Sequence, residues 1–473
     1  MKQHGIEIED IPNDISLLIV PDASSNEVEL HKQLNIKNID VIVLDHHETE
    51  EDASDPAIIV NNQISKNYIN KALSGAGVVY RFCEQLAEYT KHSPEHLLDL
   101  TAVGLIGDMM DLRSFETRYY INTGLDNIRN PYLQAMISKN KKFETEGINP
   151  HTVAFYIVPF INAINRAGTI EEKKLFFKAL LNYEANTLIK SEKKGHKGEN
   201  DLLVEEAIRI SNNVKRRQEN SKIENLESIY NFIEENQLNK YPILVVPMTN
   251  TDMDRNLTGL IANQIMADYK KPTLILNKRW NEKINNFAFE GSGRGYKTAA
   301  IVNWREYCKP YAIYAEGHPN AFGIGFTTEQ LEFFFKIISD IGNVEKNYEV
   351  DFSFSSNNNI DDAVLSIARY KELWGQELSE PYVVLHNMTL TFDNIRLLKS
   401  DTLKITFDGH QTSCIRFRAK EIYDNITDFM NTHDGKCKID IIATCAINNY
   451  LGKDYPQIKL VDYNLWECPK WEF

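Results

Sequence analysis

The sequence has no run of apolar residues near the roughly 20 that a membrane-spanning helix requires. Its opening residues, Met1-Lys2-Gln3-His4-Gly5, lack the apolar stretch of a secretory leader. Cysteine is sparse and scattered: Cys83, Cys308, Cys414, Cys437, Cys445 and Cys468 form no Cys-x-x-Cys pair. That argues against a disulfide framework or a cysteine zinc site, and for a reducing compartment, the cytoplasm. Basic residues are outnumbered, with 52 Lys and Arg against 67 Asp and Glu, for a net charge of −15. A generally sticky nucleic-acid binder is disfavoured, but a basic groove on an acidic body is not, above all if acids serve a metal. No period of about 20–50 residues signals a repeat array. What is present is an ordinary soluble composition, 42% hydrophobic and 25% charged, over 473 residues. That length exceeds one core and predicts two to four domains.

The chemistry is concentrated in Val41-Ile42-Val43-Leu44-Asp45-His46-His47. The apolar, β-branched run reads as a strand buried on both faces, as in a parallel sheet. It ends in a carboxylate and two imidazoles, at the carboxyl edge where open α/β sheets bind ligands. A carboxylate beside histidine suits manganese, iron or zinc, with magnesium less at home on imidazole. Taken alone, the tripeptide is equally well an Asp N-cap followed by surface histidines. Upstream, Ile15 to Val20 predicts a second buried strand running into Pro21-Asp22-Ala23-Ser24-Ser25, a turn with a helix start. Asp22 then ends its strand as Asp45 ends the next, and Glu27 to Leu34 fits the helix between them. Glu48 to Asp55 reads as an acidic loop. Lys71 to Gly77 leads into an amphipathic helix over 78–89. Leu97 to Asp108 is an apolar helix ending in another acid, with Asp111 close by; by itself Asp108 reads more simply as a surface acid. Lys139 to Lys142 is a basic run of the kind usually found in solvated loops.

From Asn200 to Asn236 the pattern is helical and free of proline, with Leu203, Ala207, Ile210 and Val214 in one stripe and Ile223, Leu226, Ile229 and Ile233 in another. A continuous helix there spans about 55 Å at roughly 1.5 Å per residue, which suits a bridge between domains. Its Lys215-Arg216-Arg217 either lines a nucleic-acid channel or forms a solvated face. Strand, helix and strand follow at 241–246, 257–269 and 272–276, the rhythm of a second α/β domain. Two glycine-rich pieces close it, Gly291-Ser292-Gly293-Arg294-Gly295 and Glu316-Gly317-His318-Pro319-Asn320-Ala321-Phe322-Gly323. Each is a tight hairpin or a phosphate cradle, since glycines bring backbone N–H groups close to an anion and Arg or His can pair with it. Ser353 to Asn359 reads as a linker before a helix through Trp374. Short strands at 382–385, 388–395, 402–407, 413–417 and 438–443 then predict a small antiparallel barrel. Arg416, Phe417 and Arg418 are candidates for pairing and stacking with a single strand, although alternation puts Phe417 opposite the two arginines.

In this order the pieces resemble a DHH-superfamily phosphoesterase, and specifically its RecJ-type single-strand-specific DNA exonucleases. Val41 to His47 matches the motif that names the superfamily, 19–24 resembles the preceding aspartate motif, and 100–112 resembles the helix bearing a later metal-binding aspartate, here Asp108. Pro159 to Gly168 is similar to a segment of the RecJ branch. The pieces at 291–294 and 317–323 resemble the accessory-domain substrate motifs, except that Glu316 stands where a glycine is usual. The family's first motif, Asp-x-Asp-Gly, has no match ahead of Ile19.

The resemblance implies an α/β chain in four parts: a parallel-sheet DHH domain over 1–195, a bridging helix over 196–238, a smaller α/β DHHA1-like domain over 239–345 and an OB-like β-barrel over 346–473. It implies 5′→3′ exonuclease activity on single-stranded DNA with two divalent cations, Mn²⁺ or Mg²⁺. Asp22, His46 and Asp108 would be ligands, Asp45 a ligand or the group orienting one, and His47 a phosphate contact, with Asp45, His46 and His47 as the catalytic set. Arg166, Ser292, Arg294, Gly317 and His318 would bind substrate, and Arg416 and Arg418 the strand on the barrel. Expected partners are single-stranded DNA, a single-strand-binding protein or helicase, and a separate N-terminal fragment supplying the absent motif; no membrane is expected. The compartment is a bacterial cytoplasm, or that of a host for a phage protein. Two alternatives stand beside this: a non-catalytic or split-subunit DNA-binding DHH protein, and a DHH phosphodiesterase for short oligonucleotides or cyclic dinucleotides.

Overall fold

A computed structural model describes residues 8–12, 14–49, 56–249, 253–282, 284–296, 301–339, 348–355 and 359–468. The chain divides into two compact units, 1–158 with 349–473, and 159–348. Among the described residues no helix is long and apolar enough to cross a membrane.

In the first unit β1 (Leu17–Pro21), β2 (Asp40–Asp45) and β3 (Ile58–Asn61) form a parallel sheet in that order, with α1 (Val28–Ile36) joining the first two. Their β-branched side chains suit a pleated surface, but the buried strand expected at 15–20 is covered on one face only: Leu17 and Ile19 of β1, at the end of the strand order, are each 47% exposed. Val41 and Val43 pack with Leu34 of α1 and with Leu18, Val20 and Ile59 of the flanking strands. The register sets Pro21 beside Leu44 and Asp45 beside Asn61, so polar groups leave all three strands at one edge. β3 was not anticipated: only four residues long, it follows the acidic loop that dominates the local pattern.

Next come α2 (Gly75–Thr90), α3 (Leu98–Gly107) and α4 (Phe115–Asp126), followed by α5 (Pro131–Ser138), α6 (Lys142–Glu146) and α7 (Pro150–Tyr156). α3 is apolar on nearly every side, and Ala102 and Leu105 are wholly buried, as expected of a helix at the centre of a core. It meets α2 through small residues, since a Cβ on Gly104 would lie 2.5 Å from that of Ala76.

The C-terminal part of this unit contains β11 (Phe352–Ser355), α14 (Ile360–Ala368), β12 (Val383–Thr391), β13 (Ile395–Leu398), β14 (Thr402–Thr406), β15 (Ser413–Arg416), α15 (Lys420–Thr432), β16 (Lys436–Tyr450) and β17 (Lys453–Trp466). One sheet runs β11-β12-β16-β17-β15-β14-β13. A single core holds Leu385, Ile395, Leu403, Cys414, Ile439 and Ile458 from six of its strands, so the sheet curls round one interior. The expected linker at 353–359 is corrected here. Its first residues continue β11, which pairs in parallel with β12, and Asn359 caps α14. An edge strand exposes one side to water, so serine alternating with phenylalanine is compatible with it. The strands expected at 382–385 and 388–395 are largely one, β12, shifted in register between Leu385 and Met388. Leu112 N–H donates to the Gln376 carbonyl at 3.2 Å, and Arg118 Nη2 donates to that of Leu373 at 3.2 Å, tying the curled sheet to the α3–α4 turn.

α8 (Val158–Ala167) leads into the second unit, which continues with α9 (Ile170–Leu180), the β4–β5 hairpin (Leu188–Lys190, Asn200–Leu202) and α10 (Leu203–Glu235). At 33 residues α10 is about 50 Å long at roughly 1.5 Å per residue. Residues 159–195, read from sequence as part of the first domain, pack here with α10, and Arg217 of α10 holds Glu172 of α9 in a two-pronged pair at 2.8 and 3.0 Å. Lys215 lies 3.6 Å from Glu219, so the basic triplet is largely engaged with neighbouring acids. Leu226, Ile229 and Ile233 of α10 pack against β6 (Leu244–Met248) and α11 (Arg255–Tyr269). The sheet there runs β6-β7-β8-β10-β9, with β7 (Thr273–Asn281) parallel to β6 and the rest antiparallel: β8 (Asn286–Arg294), β9 (Tyr314–His318) and β10 (Ala321–Phe326). α12 (Trp304–Cys308) and α13 (Thr328–Ser339) add Trp304, Phe334 and Ile338 to the core on one sheet face.

Candidate metal centre

Asp22, His46 and Asp108 come together from three separate segments. His46 Nε2 lies 3.2 Å from Asp22 Oδ1 and 3.2 Å from Asp108 Oδ2. His46 is nearly buried, with 10% of its side chain exposed; Asp22 is 62% exposed, and Asp108 is half-buried, with the Oδ2 that meets His46 out of contact with water. Asp22, His46 and His47 offer ligand atoms within 4.8 Å of one another.

Both aspartates are delivered by backbone that runs against local preference. Asp22 follows β1 at φ 60, a left-handed conformation Asp tolerates better than most residues, and its N–H donates to the Leu44 carbonyl at 2.8 Å. Its carboxylate rests on the start of α2, where a Cβ on Gly75 would fall 2.3 Å from Asp22 Oδ1. Gly75 is thus a site residue through what it lacks. Asp108 caps the C-terminus of α3. Met109 follows at φ 56, and the Met110 N–H to Leu105 and Met109 N–H to Ile106 bonds, both 3.1 Å, close a Schellman turn.

Asp45 is placed differently. It is 1% exposed, and its Oδ1 accepts from His46 N–H at 2.7 Å and from His47 Nδ1 at 2.7 Å. Its Oδ2 accepts from Ser25 N–H at 3.2 Å. Burial alone would raise its pKa, but the hydrogen bonds from His47, Ser25 and His46 outweigh that and hold the carboxyl well below the usual range. The same bond raises the His47 pKa, against burial, with Asp22 and Asp108 adding smaller pulls. Asn61, buried at the end of β3, donates to the His47 carbonyl at 2.9 Å and to Ser25 Oγ at 3.0 Å. Sequence reasoning missed Ser25, Asn61 and Gly75; recognising β3 as a strand would have put Asn61 beside Asp45. Asp111 is turned away, its carboxylate held by Arg113 at 2.7 Å.

The expected substrate residues cluster in the second unit. Arg294, Ala321 and His318 occupy one register row across β8, β10 and β9, so their side chains share a sheet face. The Arg294 guanidinium donates to the Gly293 carbonyl at 2.7 Å and rests on Gly259 of α11, where a Cβ would meet Nη2 at 2.5 Å. Burial pulls its pKa down to about 10, with Arg166 adding to the shift. The Arg166 carbonyl accepts from Asn256 at 3.1 Å, and Ser292 Oγ bonds Thr258 Oγ1 at 2.8 Å. Gly317 has φ 125, and its carbonyl accepts from Arg305. Glu316 is two residues from His318 on β9, exposed and of the same strand parity. On the curled sheet, Arg416 Nη1 donates to the Leu460 carbonyl at 2.9 Å. The strand ends at Arg416, so the alternation expected through Phe417 does not extend to Arg418, which is exposed at φ 52.

Known proteins resemble this chain in sequence and in fold. The model of the DHH family, N-terminal domain, matches residues 2–105, and that of the RecJ OB domain matches 351–462. YorK of the SPbeta prophage in Bacillus subtilis (strain 168), named as a candidate single-strand DNA-specific exonuclease, is 34% identical over 472 residues, 98% of this chain and 80% of YorK. The single-stranded-DNA-specific exonuclease RecJ of the same bacterium is 24% identical, over 94% of this chain and 54% of RecJ. Among solved structures, RecJ from Thermus thermophilus in complex with Mn²⁺ has a TM-score of 0.68 at 17% identity, over 95% of this chain and 62% of that one. The Mg²⁺ complex of the same protein gives 0.58 at 16%, over 96% and 67%. By sequence likeness to YorK, by fold and by the arrangement of its acids and imidazoles, the chain belongs to the DHH family of phosphoesterases, in its RecJ-type branch.

Proposed function

We propose that this chain is a metal-dependent exonuclease that hydrolyses phosphodiester bonds of single-stranded DNA in the 5′→3′ direction, with two divalent cations, in repair, recombination or replication in a cytoplasm. The observation carrying this reading is the meeting of Asp22 and Asp108 on His46 Nε2, each at 3.2 Å. The donor set suits Mn²⁺, which accepts mixed oxygen and nitrogen ligands, and Mg²⁺ less well. Asp108 also stands at a helix C-terminus, where the macrodipole disfavours a carboxylate and a cation would relieve it. Such an ion supplies Lewis acidity and an acidified water.

The protein's own groups would do the rest. Asp22, His46 and Asp108 hold the ion. Asp45, with both oxygens engaged by His46, His47 and Ser25, orients rather than ligates. It fixes His47 through Nδ1 and favours the imidazolium, leaving an Nε2 proton for a phosphate oxygen. Arg294, Arg166, Ser292, Gly317 and His318 position the substrate phosphates, the contribution on which charge-stabilised phosphoryl-type transfer rests. The proposal extends to partners that present single strands, a single-strand-binding protein or helicase, and to a separate segment adding carboxylates.

Incubation with Mn²⁺ and single-stranded DNA labelled at either end is the test. Mononucleotides released from the 5′ end, and abolished by His46→Ala or Asp108→Ala, are expected. No release, or release indifferent to those substitutions, would leave the second reading, a non-catalytic DHH protein. That reading draws on the lack of an Asp-x-Asp-Gly match ahead of Ile19, which leaves Asp22, His46, His47 and Asp108 as the candidate ligands among the described residues.

A further inference from the structure

We propose that the outward face of α9 is a track for single-stranded DNA, with side chains that stack on bases set between lysines that neutralise phosphates. The inference rests on the exonuclease reading and adds a surface that begins just after the RecJ-like segment 159–168 and lies outside its residues. A capping box of Thr169 and Glu172 starts the helix and sets its phase. Glu172, Phe176 and Ala179 then form the covered side: Glu172 pairs with Arg217 of α10, and Phe176 and Ala179 are 5% and 0% exposed. The opposite side carries Ile170, Lys174 and Phe177 at i, i+4 and i+7, one stripe of a 3.6-residue period, flanked by Lys173 and Lys178. Phe177 is 62% exposed, and Tyr183, just beyond the helix, is 80% exposed. Lys178 lies 3.6 Å from Glu184, whereas among the described residues neither Lys173 nor Lys174 has a carboxylate at ion-pair distance.

Three occupants could cover such a stripe, and the composition selects one. A second copy of the chain is disfavoured because the centres of protein interfaces are depleted in lysine. A membrane surface would need a larger apolar face than an 11-residue helix presents. Exposed aromatics interleaved with such lysines match the chemistry of single-stranded nucleic acid, whose bases stack on rings without regard to sequence and whose phosphates take the cations. On a protein of net charge −15, Lys173, Lys174 and Lys178 against the exposed Glu171 and the Glu184 that pairs with Lys178 leave this stretch slightly basic, which favours a polyanion there.

The test measures binding of the full chain, in EDTA so that no cleavage occurs, to a fluorescent oligothymidylate of about 30 nucleotides across a salt series. Phe177→Ala is expected to weaken binding about 5-fold or more, the loss of one base–ring stack, and Phe177→Trp to restore it. Lys173→Gln with Lys174→Gln should flatten the plot of log affinity against log salt by about 1.4, at roughly 0.7 per phosphate contact on a single strand. The substituted side chains are all exposed, and circular dichroism checks that the variants fold. Variants that bind as wild type, in a chain that degrades single strands with Mn²⁺, overturn the track and leave the exonuclease standing. A changed sedimentation coefficient in Phe177→Ala with unchanged DNA binding overturns it in favour of self-association. A wild-type chain that neither binds nor degrades single strands overturns both.

Discussion

At the scale of single residues, the site is a division of labour between two kinds of carboxylate. Asp22 is exposed and Asp108 half-buried, and both meet His46, while Asp45 is buried and has its oxygens taken up by N–H groups. Asp45→Asn keeps the shape and removes the charge. Because the hydrogen bond that His47 donates to Asp45 is the largest cause raising the His47 pKa, the imidazole of the metal-free variant should titrate at lower pH by NMR, so that less imidazolium is present near neutrality. Manganese affinity should fall about 10- to 100-fold, the usual effect of losing an outer-shell partner, read by calorimetry. Gly75→Ala acts in the opposite way, by adding an atom. Its Cβ would overlap the carboxylate of Asp22, a side chain exposed enough to swing aside. The fold should therefore survive while hydrolysis drops about 100-fold, the scale of a 1 Å misplacement, a result that thermal melting and turnover measured together would separate from unfolding.

At the scale of elements, boundaries are where local preference and tertiary need diverge. α3 ends in a Schellman turn whose left-handed position is occupied by Met109, 61% exposed, rather than glycine. A non-glycine residue there costs roughly 1–2 kcal/mol, so Met109→Gly should raise stability by about 0.5–1 kcal/mol once the roughly 0.4–1 kcal/mol of extra chain entropy is counted. A higher urea midpoint with an unchanged slope checks this; no gain would mean that the turn carries little strain. The strands most legible in the sequence were β1, β2, β6 and β7, all apolar runs, although β1 leaves Leu17 and Ile19 exposed on one face. β3, β11 and β17 were not legible, because edge or mixed-polarity strands owe their existence to a neighbour's hydrogen bonds rather than to their own composition.

At the scale of the whole molecule, the curled C-terminal sheet shares a unit with the N-terminal sheet through the 112–118 and 373–377 segments. Gly375 allows that approach, since a Cβ there would lie 2.3 Å from Leu112 Cδ1 in a buried side chain. Gly375→Val should cost about 1–3 kcal/mol, the range for overpacking. In scanning calorimetry it should broaden or split the transition as the two parts lose their common contact; a single sharp transition at the wild-type temperature would count against coupling by this clip.

The sequence by itself determined the chemistry. An apolar strand ending in Asp-His-His, an aspartate closing the strand before it and an apolar helix closing on Asp108 specify which groups are available, because residue type and period are local properties. Only the tertiary structure decided their roles. Asp45 and Asp22 look alike in sequence, each an acid after a strand, yet one is buried behind His47 and the other stands in water on a glycine 53 positions later in the chain. That difference depends on which side of a sheet a carboxylate leaves and which helix packs beside it. It arises from contacts between distant segments, and no window of neighbouring residues contains them.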